Sequence, residues 1–136
     1  MRITLESDYA LRILSTLATH NEVTDAKTLA DETSVSQRFS LKILHKLVKG
    51  GLVCSFKGIN GGYKLNKEPK EITLKEVIEL IDGPIAIVRC VASSEACSLN
   101  QNKTECVYHH IFDAISIEVA IKLSKITIQD VLDKAF

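Results

Sequence analysis

Three cysteines and a histidine within one short stretch are the residues with the clearest chemical potential. Cys90, Cys97 and Cys106 are separated by six and eight residues, and His109 follows Cys106 by three. If a helix begins just before Cys106, the Cys106 and His109 side chains lie one helical step apart on one face, and the helix amino end favours a thiolate. Together the four side chains offer four ligands to one inorganic centre, which would order a polar segment that has little apolar surface.

The cysteine spacing leaves the kind of centre open. Structural zinc sites usually contain cysteine pairs about two to four residues apart, and this segment has no such pair. The wider spacing suits an iron-sulfur cluster, which accepts histidine beside thiolates. A thiol-disulfide switch between two of the three cysteines is the metal-free alternative. Cys54 stands apart from this segment, and we interpret it as a small core residue.

Three helices are predicted upstream of the cysteines. Apolar residues recur at helical spacing over residues 7 to 20 and again over residues 25 to 33. A turn that ends in Ser36, a favoured capping residue, then begins a third helix that runs to about Lys49. A short helix, a tight turn and a longer helix outline a helix-turn-helix.

A glycine-rich hairpin follows the third helix. Two short strands, 52 to 56 and 63 to 65, flank a turn that contains Asn60-Gly61, a favoured turn dipeptide because both residues tolerate positive φ. The turn does not match a nucleotide-phosphate loop, because no Gly-Lys-Ser/Thr sequence opens a following helix. We therefore interpret the hairpin as a wing attached to the helix-turn-helix.

Charge is unevenly distributed along the chain, although the 17 basic and 17 acidic side chains balance overall. Residues 36 to 70 contain 8 basic and 1 acidic side chain, which suggests either a surface for a polyanion or a solvated lysine-rich face. In the third helix one face is apolar, with Phe39, Leu44, Leu47 and Val48. The opposite face is cationic, with Arg38, Lys42, His45, Lys46 and Lys49.

A further helix and a long helix surround the cysteine segment. The first starts at a Thr73-x-x-Glu76 capping box and stops at Gly83. The long helix spans about residues 105 to 126, with Thr104 as a possible cap, and it carries apolar residues on two sides. A domain this small can cover only one side, so we expect the other to pair with a second chain in a two-fold dimer.

The predicted architecture is therefore mainly α with a small β-hairpin, built as a winged helix-turn-helix with a long dimerisation helix. Residues 1–82 form the DNA-binding domain, 83–105 the cysteine-bearing loop, and 106–136 the dimerisation helix and a C-terminal helix around Ile128. The start of the chain shows no signal peptide and no apolar run is long enough for a membrane helix, so we expect a cytoplasmic protein. No catalytic constellation is recognised, and an enzyme would have to be a small redox protein that uses its cluster.

These features resemble a family of bacterial winged-helix transcriptional regulators that includes the iron-sulfur regulator IscR, the nitric oxide sensor NsrR and the cysteine-metabolism repressor CymR. The resemblance covers essentially the whole chain. Its most specific signals are the wing Lys57-Gly58-Ile59-Asn60-Gly61-Gly62-Tyr63 and the three cysteines placed just before the long helix. The segment from Arg2 to Ala10 and the capped helix that ends at Asp82 also match.

The resemblance implies a homodimeric transcription factor without enzymatic activity. The third helix of each subunit would enter the major groove of an operator, and each wing would approach the flanking minor groove. The residues expected to contact DNA are Thr28, Ser36, Gln37, Arg38, Lys42, Lys46, Lys57, Asn60 and Gly61. A cluster held by the three cysteines would report iron-sulfur, redox or nitric oxide status to the DNA-binding domains.

Two residues compete as the fourth cluster ligand in this comparison. His109 matches the histidine of the cluster-assembly regulator, which holds a [2Fe-2S] cluster. Asp8 matches a carboxylate that the nitric oxide sensor contributes from the partner subunit to a [4Fe-4S] cluster. We favour His109 and a [2Fe-2S] cluster. The cysteine spacing is looser than in the cluster-assembly regulator, so the resemblance does not determine the cluster type or the signal. Leu41 replaces a glutamate of its recognition helix, so operator preference does not carry over.

Overall fold

The fold is mainly helical, with one two-stranded antiparallel hairpin, as predicted. It is seen in a computed structural model that describes residues 2–93, 97 and 102–135. The elements in chain order are α1 (Leu5–His20), α2 (Ala26–Thr33), α3 (Gln37–Lys49), β1 (Val53–Phe56), β2 (Gly62–Leu65), α4 (Leu74–Asp82), α5 (Arg89–Ala92), α6 (Val107–Ser124) and α7 (Ile128–Asp133). Short 3₁₀ turns lie at Pro69–Glu71 and Lys103–Glu105.

Side-chain caps fix the start of the helix-turn-helix elements. The Asp25 carboxylate accepts from the Thr28 amide at 2.9 Å and begins α2. The Ser36 hydroxyl accepts from the Phe39 amide at 3.2 Å and begins α3, which confirms the cap predicted there. Each cap satisfies one of the free amides at a helix start, so local sequence is enough to define these boundaries.

Helix α1 begins two residues earlier than the sequence suggested. Thr4 is its capping residue, and the Thr4 hydroxyl accepts from the Ser7 amide at 3.2 Å. The same hydroxyl donates to the Asp82 carboxylate at the end of α4. A long-range hydrogen bond therefore helps to determine where α1 begins.

The core lies where α1, α2 and α3 meet the base of the wing and α4. Its fully or almost fully buried side chains are Ala10, Ile13, Leu14, Leu17, Leu29, Ile43, Leu44, Leu47, Leu52, Val53, Ile72, Val77 and Ile128. Leu44 and Leu47 confirm the predicted apolar face of α3, whereas Ile43 was not predicted and Phe39 and Val48 are only half-buried. Burying each large aliphatic side chain contributes roughly 1.5–3 kcal/mol, so α3 is held firmly at its inner face.

The C-terminal helix shares this core. Ile128 is completely buried, and its amide donates to the Ile72 carbonyl at 2.9 Å. Thr127 and Asp130 form a capping box at the start of α7, and α7 packs against α1. The chain thus leaves the DNA-binding unit through α6 and returns to it through α7.

The wing is pinned to the helix-turn-helix by a backbone bridge. Val53 pairs with Leu65 and Phe56 with Gly62, and Thr24 exchanges two backbone hydrogen bonds of 2.8 Å with Tyr63. A Cβ atom on Gly62 would come within 2.5 Å of the Thr24 carbonyl oxygen, so only glycine permits this close approach. The wing therefore has a fixed position relative to α2.

The turn at the wing tip differs from the expected one. The Gly61 amide donates to the Gly58 carbonyl at 3.0 Å, which places Ile59 and Asn60 at the two central positions. Positive φ occurs at Gly58 (101°), and neither Asn60 nor Gly61 has it. The predicted hairpin is confirmed, but its turn lies one residue earlier than a turn centred on Asn60-Gly61, and the positive φ falls at Gly58.

Helix α6 leaves most of its apolar surface exposed in the single chain. Ser116 is buried, and its hydroxyl accepts from the Ile87 amide at 3.0 Å, which ties the segment after α4 to α6. The exposed apolar residues of α6 are Val107, Tyr108, Ile111, Ile115, Ile117 and Ile121. Within the described part of the chain, no helix is both long enough and apolar enough to cross a membrane.

Candidate nucleic-acid interface and metal centre

The outer face of α3 is the most cationic exposed surface next to the wing. Gln37, Arg38, Lys42, His45 and Lys49 are exposed, while the opposite face of α3 enters the core. The Ser36 hydroxyl is used in capping α3. Leu41, which is 42% exposed, lies between Gln37 and His45 at the side of the cationic face. The arrangement offers amide and guanidinium donors for base edges or phosphates, beside one apolar contact.

Two of the predicted DNA-contacting lysines are already engaged by a carboxylate. Glu6, on α1, places its Oε1 atom 2.7 Å from Lys46 Nζ and its Oε2 atom 3.7 Å from Lys42 Nζ. The Lys42 ammonium also lies 5.4 Å from the centre of the Phe39 ring. No local sequence pattern predicts this pairing, since Glu6 and the lysines are about forty residues apart and meet only in the fold.

The predicted wing residues lie at and beside the turn. Lys57 and Asn60 are exposed and Gly61 is half-buried. A Cβ atom on Gly61 would overlap the Phe56 carbonyl oxygen, so the backbone folds tightly there. Ile59 is fully exposed at the tip, between these polar residues. The wing presents one cation and a compact backbone next to α3.

Thr28 is committed to the start of α2. Its amide donates to Asp25 at 2.9 Å and its hydroxyl donates to Asp25 at 2.8 Å. The backbone and side-chain hydrogen bonds from Thr28 hold the pKa of Asp25 below its usual value of 3.8. A DNA phosphate only accepts hydrogen bonds, so the Thr28 hydroxyl can donate to a phosphate only if it leaves Asp25.

The end of α4 is joined to the start of α1. The Thr4 amide donates to Asp82 Oδ2 at 3.0 Å, and the Thr4 hydroxyl donates to Oδ1. Partial burial is the largest influence and raises the pKa of Asp82. The hydrogen bonds from Thr4 and Ser7 and the charge of Lys46 outweigh it, so the pKa lies below 3.8. Asp82 is the last residue before the segment that leads to the cysteines.

Cys90 and Cys106 are linked through a lysine. Lys103 Nζ donates to the Cys90 carbonyl oxygen at 2.7 Å and to the Ser93 carbonyl oxygen at 2.9 Å. The Lys103 carbonyl accepts from the Cys106 amide at 3.3 Å. Lys103 thus connects the chain on both sides of the cysteine segment, a role that the amino-acid sequence alone did not predict.

Cys106 and His109 flank the start of α6, but the helix begins later than predicted. It starts at Val107, so Cys106 occupies the capping position and not the first turn. Thr104 does not cap α6, since it lies in the preceding 3₁₀ turn, where its carbonyl is bonded to His110 Nε2 at 2.9 Å. A thiolate at the capping position still faces the free amides of the helix start.

The two neighbouring histidines have different environments. Within the described residues, His109 Nδ1 is buried and has no hydrogen-bond partner. His110, by contrast, is bonded through Nε2 to a carbonyl. A buried ring nitrogen without a partner is costly, and a metal ion is one partner that would satisfy it. This supports His109 over His110 as a candidate ligand.

The complete ligand set does not come together in the described part of the chain. All four cysteines are free thiols, with Cys97 exposed and Cys90 and Cys106 half-buried. Among residues 2–93, 97 and 102–135, no three histidine, cysteine or acidic side chains converge on one point. The chemistry of the donor set, three thiols and an unpartnered imidazole nitrogen, nevertheless suits an iron-sulfur cluster.

The alternative ligand Asp8 lies on α1 and is paired. Arg12 NH2 donates to its carboxylate at 2.6 Å, and Arg12 also stacks 5.1 Å from the centre of the Tyr9 ring. The Asp8 side chain is 40% exposed and lines an open depression together with Arg2 and Leu5. Asp8 would have to leave Arg12 to bind a metal.

Cys54 is not a core residue, contrary to the prediction. It is half-buried, and its thiol donates to Asn66 Oδ1 at 2.9 Å. Asn66 in turn donates to the Gly51 carbonyl at 3.0 Å. The polar base of the wing, which brings Asn66 beside Cys54, explains why the thiol points to an amide and not into the core.

Comparisons with known proteins agree with this arrangement. Residues 3–134 match the Rrf2 family, described as iron-dependent transcriptional regulators. The HTH-type transcriptional regulator NsrR of Bacillus licheniformis is 32% identical, over 97% of this chain and 92% of that protein. The HTH-type transcriptional regulator IscR of Photorhabdus laumondii is 27% identical, over 98% of this chain and 80% of that protein.

A solved structure extends the likeness to three dimensions. The global cysteine regulator CymR of B. subtilis superposes with a TM-score of 0.79 and 25% identity, over 100% of this chain and 99% of that chain. The relatives are named as transcriptional regulators, a role that requires DNA and no catalysis. The chain belongs to the Rrf2 family of transcriptional regulators.

Proposed function

We propose that the protein is a homodimeric regulator that binds operator DNA through α3 and the wing and senses its signal through an iron-sulfur cluster. The observation that carries the DNA-binding part is the outer face of α3, which is exposed and cationic while its inner face is locked in the core. In this proposal Gln37, Arg38 and Lys42 contact base edges or phosphates in the major groove. Lys57, Asn60 and Gly61 approach the minor groove.

The dimer is proposed from the exposed face of α6. Val107 is 69% exposed and Tyr108 is 73% exposed, and four isoleucines continue the same surface along the helix. An apolar surface of this length on a monomer is unfavourable in water, and a second copy of the same helix covers it in a two-fold arrangement. Two α3 helices would then face two half-sites of one operator.

The cluster is proposed at Cys90, Cys97 and Cys106, with His109 as the fourth ligand. The support is the unpartnered buried Nδ1 atom of His109 and the position of Cys106 at the start of α6. Such a cluster supplies a centre that oxygen, nitric oxide or a change in iron supply can alter. Around it, Cys90 lies in α5 and Cys106 at the capping position of α6, and Ser116 fixes α6 to the segment that follows α4. We favour [2Fe-2S] over [4Fe-4S] because His109, and not the paired Asp8, has the free donor atom.

A second candidate retains DNA binding but uses the thiols without a cluster. It is favoured by the absence of a preassembled three-ligand group in the described residues and by the likeness to the cysteine regulator CymR. In this case two of the three cysteines would form a disulfide under oxidation. A zinc-bound form is the remaining variant of this candidate.

Anaerobic purification tests the sensor. We expect brown protein containing iron and acid-labile sulfide, and we expect His109→Ala to change the visible spectrum while Asp8→Ala preserves it. Colourless protein with stoichiometric zinc, or with reversible disulfide formation, favours the second candidate. A cluster that tolerates His109→Ala but is lost in Asp8→Ala reverses our choice of ligand.

DNA binding is tested with Arg38→Ala. Loss of one phosphate or base contact should weaken binding to an operator selected from random-sequence DNA by roughly tenfold, which corresponds to about 1.4 kcal/mol. A shallower dependence on salt identifies a phosphate contact. Unchanged affinity and an unchanged salt slope would remove Arg38 from the interface.

A further inference from the structure

We propose that Glu6 competes with DNA phosphate for Lys46 and Lys42, so that one carboxylate on α1 limits how tightly α3 holds the DNA backbone. The proposal rests on the DNA-binding function proposed above. It adds a residue that neither the cationic face nor the wing contains, and it assigns different roles to lysines that look equivalent in the sequence.

The geometry places one carboxylate between two lysines of the recognition helix. Glu6 Oε1 is 2.7 Å from Lys46 Nζ, and Oε2 is 3.7 Å from Lys42 Nζ. The Glu6 side chain is only 18% exposed, whereas Lys42 is 57% exposed and Lys46 37% exposed. The carboxylate is thus fixed by the packing of α1, and the lysines are the mobile partners.

The contact with Lys46 is electrostatic more than directional. Although the atoms are close, Oε1 is buried and accepts no well-aligned hydrogen bond in the described part of the chain. Coulomb attraction remains, but the directional part of a hydrogen bond is missing. A phosphate oxygen that offered good alignment would compete effectively for the same ammonium group.

Lys46 is restrained more strongly than Lys42. Its Nζ atom lies 2.7 Å from Glu6 Oε1, and its charge also lowers the pKa of Asp82. Lys42 is farther from Glu6 and more exposed, and it leans over the Phe39 ring. We therefore expect Lys42 to keep most of its reach toward DNA and Lys46 to gain reach when Glu6 loses its charge.

Other cations of the interface do not share this restraint. Neither Arg38 nor Lys57 takes part in an ion pair within residues 2–93, 97 and 102–135. The net effect of Glu6 is therefore local to the middle of α3. The number of phosphates that each subunit neutralises would be smaller than its count of exposed lysines suggests.

Glu6→Gln tests the proposal, because it removes the charge and keeps the shape of the side chain. We expect this variant to bind a random-sequence 30-base-pair duplex more tightly, with a steeper salt dependence. One additional neutralised phosphate per subunit corresponds to roughly a five- to tenfold gain near 0.1 M salt. Elution from immobilised heparin should shift to higher salt as well.

Glu79→Gln is the matched control. Glu79 forms an ion pair with Lys75 at 3.8 Å on α4, so this variant removes the same charge and frees a lysine that lies outside α3. We expect it to bind both probes like the wild type. In a Lys46→Met background, the gain from Glu6→Gln should shrink, since the released lysine is no longer present.

The outcomes separate the two proposals. Equal or weaker binding of Glu6→Gln to both duplex and heparin, with its thermal unfolding unchanged, overturns the competition. If the wild type shows no affinity for duplex DNA while Glu6→Gln still gains affinity for heparin, the competition is supported. In that case it is the proposed function that fails.

Discussion

At the scale of single residues, Lys103 has an unusual position because it joins both sides of the cysteine segment. Its ammonium group donates to two carbonyl oxygens at the end of α5, those of Cys90 and Ser93. Its own carbonyl accepts from the Cys106 amide. Two of the three proposed cluster ligands are therefore held near each other by a group that is not itself a ligand.

Replacing Lys103 with methionine should loosen this segment. The methionine keeps the length and apolar stem but leaves the two carbonyl oxygens without the ammonium donor. Since Lys103 is half-exposed, we expect a loss of only about 1 kcal/mol in the local opening free energy. Amide hydrogen exchange over residues 89 to 93 should then accelerate roughly fivefold.

The control for this variant is Lys125→Met, which changes an exposed lysine at the end of α6. It should leave exchange over residues 89 to 93 as in the wild type. Iron incorporation under limiting sulfide should slow in Lys103→Met and stay normal in the control. Identical exchange in the two variants would show that the Lys103 bonds do not hold the segment.

At the scale of elements, the joint between α1 and α4 connects the recognition unit to the cysteine segment. Asp82 ends α4 and accepts from both the amide and the hydroxyl of Thr4, which caps α1. The pKa of Asp82 in the folded protein lies below 3.8. A carboxylate with a lowered pKa stabilises the folded state when it is ionised.

Asp82→Asn should therefore destabilise the protein in a pH-dependent way. Above the unfolded-state pKa of about 3.9, the ionised Asp82 carboxylate contributes fully to the stability of the wild type. This contribution is lost as the pH falls through the lower folded-state pKa. We expect a loss of about 0.5–1 kcal/mol at pH 7, because the carboxylate is largely exposed. Urea unfolding at pH 7 and at pH 3 measures it.

The difference between Asp82→Asn and the wild type should shrink at pH 3, which lies below the unfolded-state pKa of about 3.9, because the stabilisation by the ionised carboxylate is lost as the pH falls below that value. Asp31→Asn, which disrupts the exposed pair with Lys27 on α2, serves as the comparison and should alter stability by only a few tenths of a kcal/mol. A constant difference at both pH values would mean that the charge of Asp82 does not stabilise the joint.

At α3 and α4, interactions between residues close in the sequence were predicted correctly, whereas those between distant residues were not. The cap of α3 at Ser36 and the start of α4 at Thr73 were found because each bond spans three residues. The start of α1 was misplaced because Thr4 is fixed partly by Asp82, 78 residues away. Likewise Glu6 gave no local signal of its contact with Lys46, since only the packing of α1 on α3 brings them together.

The same limit applies to the candidate site, where residue type was predictive and the surroundings of each side chain in the fold were not. Residue type identified the cysteines, His109 and the cationic face of α3, all of which the structure leaves available on or near the surface. Residue type could not show that Cys54 bonds to Asn66 at the base of the wing. The spacing from Cys106 selected His109, but it could not show that His109 Nδ1 is buried without a partner in the described residues while His110 Nε2 is bonded to a carbonyl.

At the scale of the whole molecule, the exposed face of α6 would set the spacing of two DNA-binding units in the proposed dimer. The single chain buries α6 only along the side that includes Ser116, and its remaining apolar residues face water. The segment after α4 is fastened to α6, and α7 returns to the core beside α1. A dimer built on α6 would therefore link both cysteine segments to both recognition helices.

Ile121→Glu tests this arrangement. Ile121 is 48% exposed in the single chain, so a glutamate there should not disturb the fold of one subunit. In a dimer built on α6, the two glutamate carboxylates would be buried near each other, where they would repel and lose hydration. We expect sedimentation to show a monomer with unchanged helical content, and affinity for a two-half-site operator to fall at least tenfold. Ile59→Glu makes the same change at the fully exposed wing tip and should stay dimeric. Because one monomer contacts only one half-site, the Ile121→Glu variant should bind single and paired half-sites with equal affinity. If this variant remains dimeric at micromolar concentration, the subunit contact lies elsewhere on the chain.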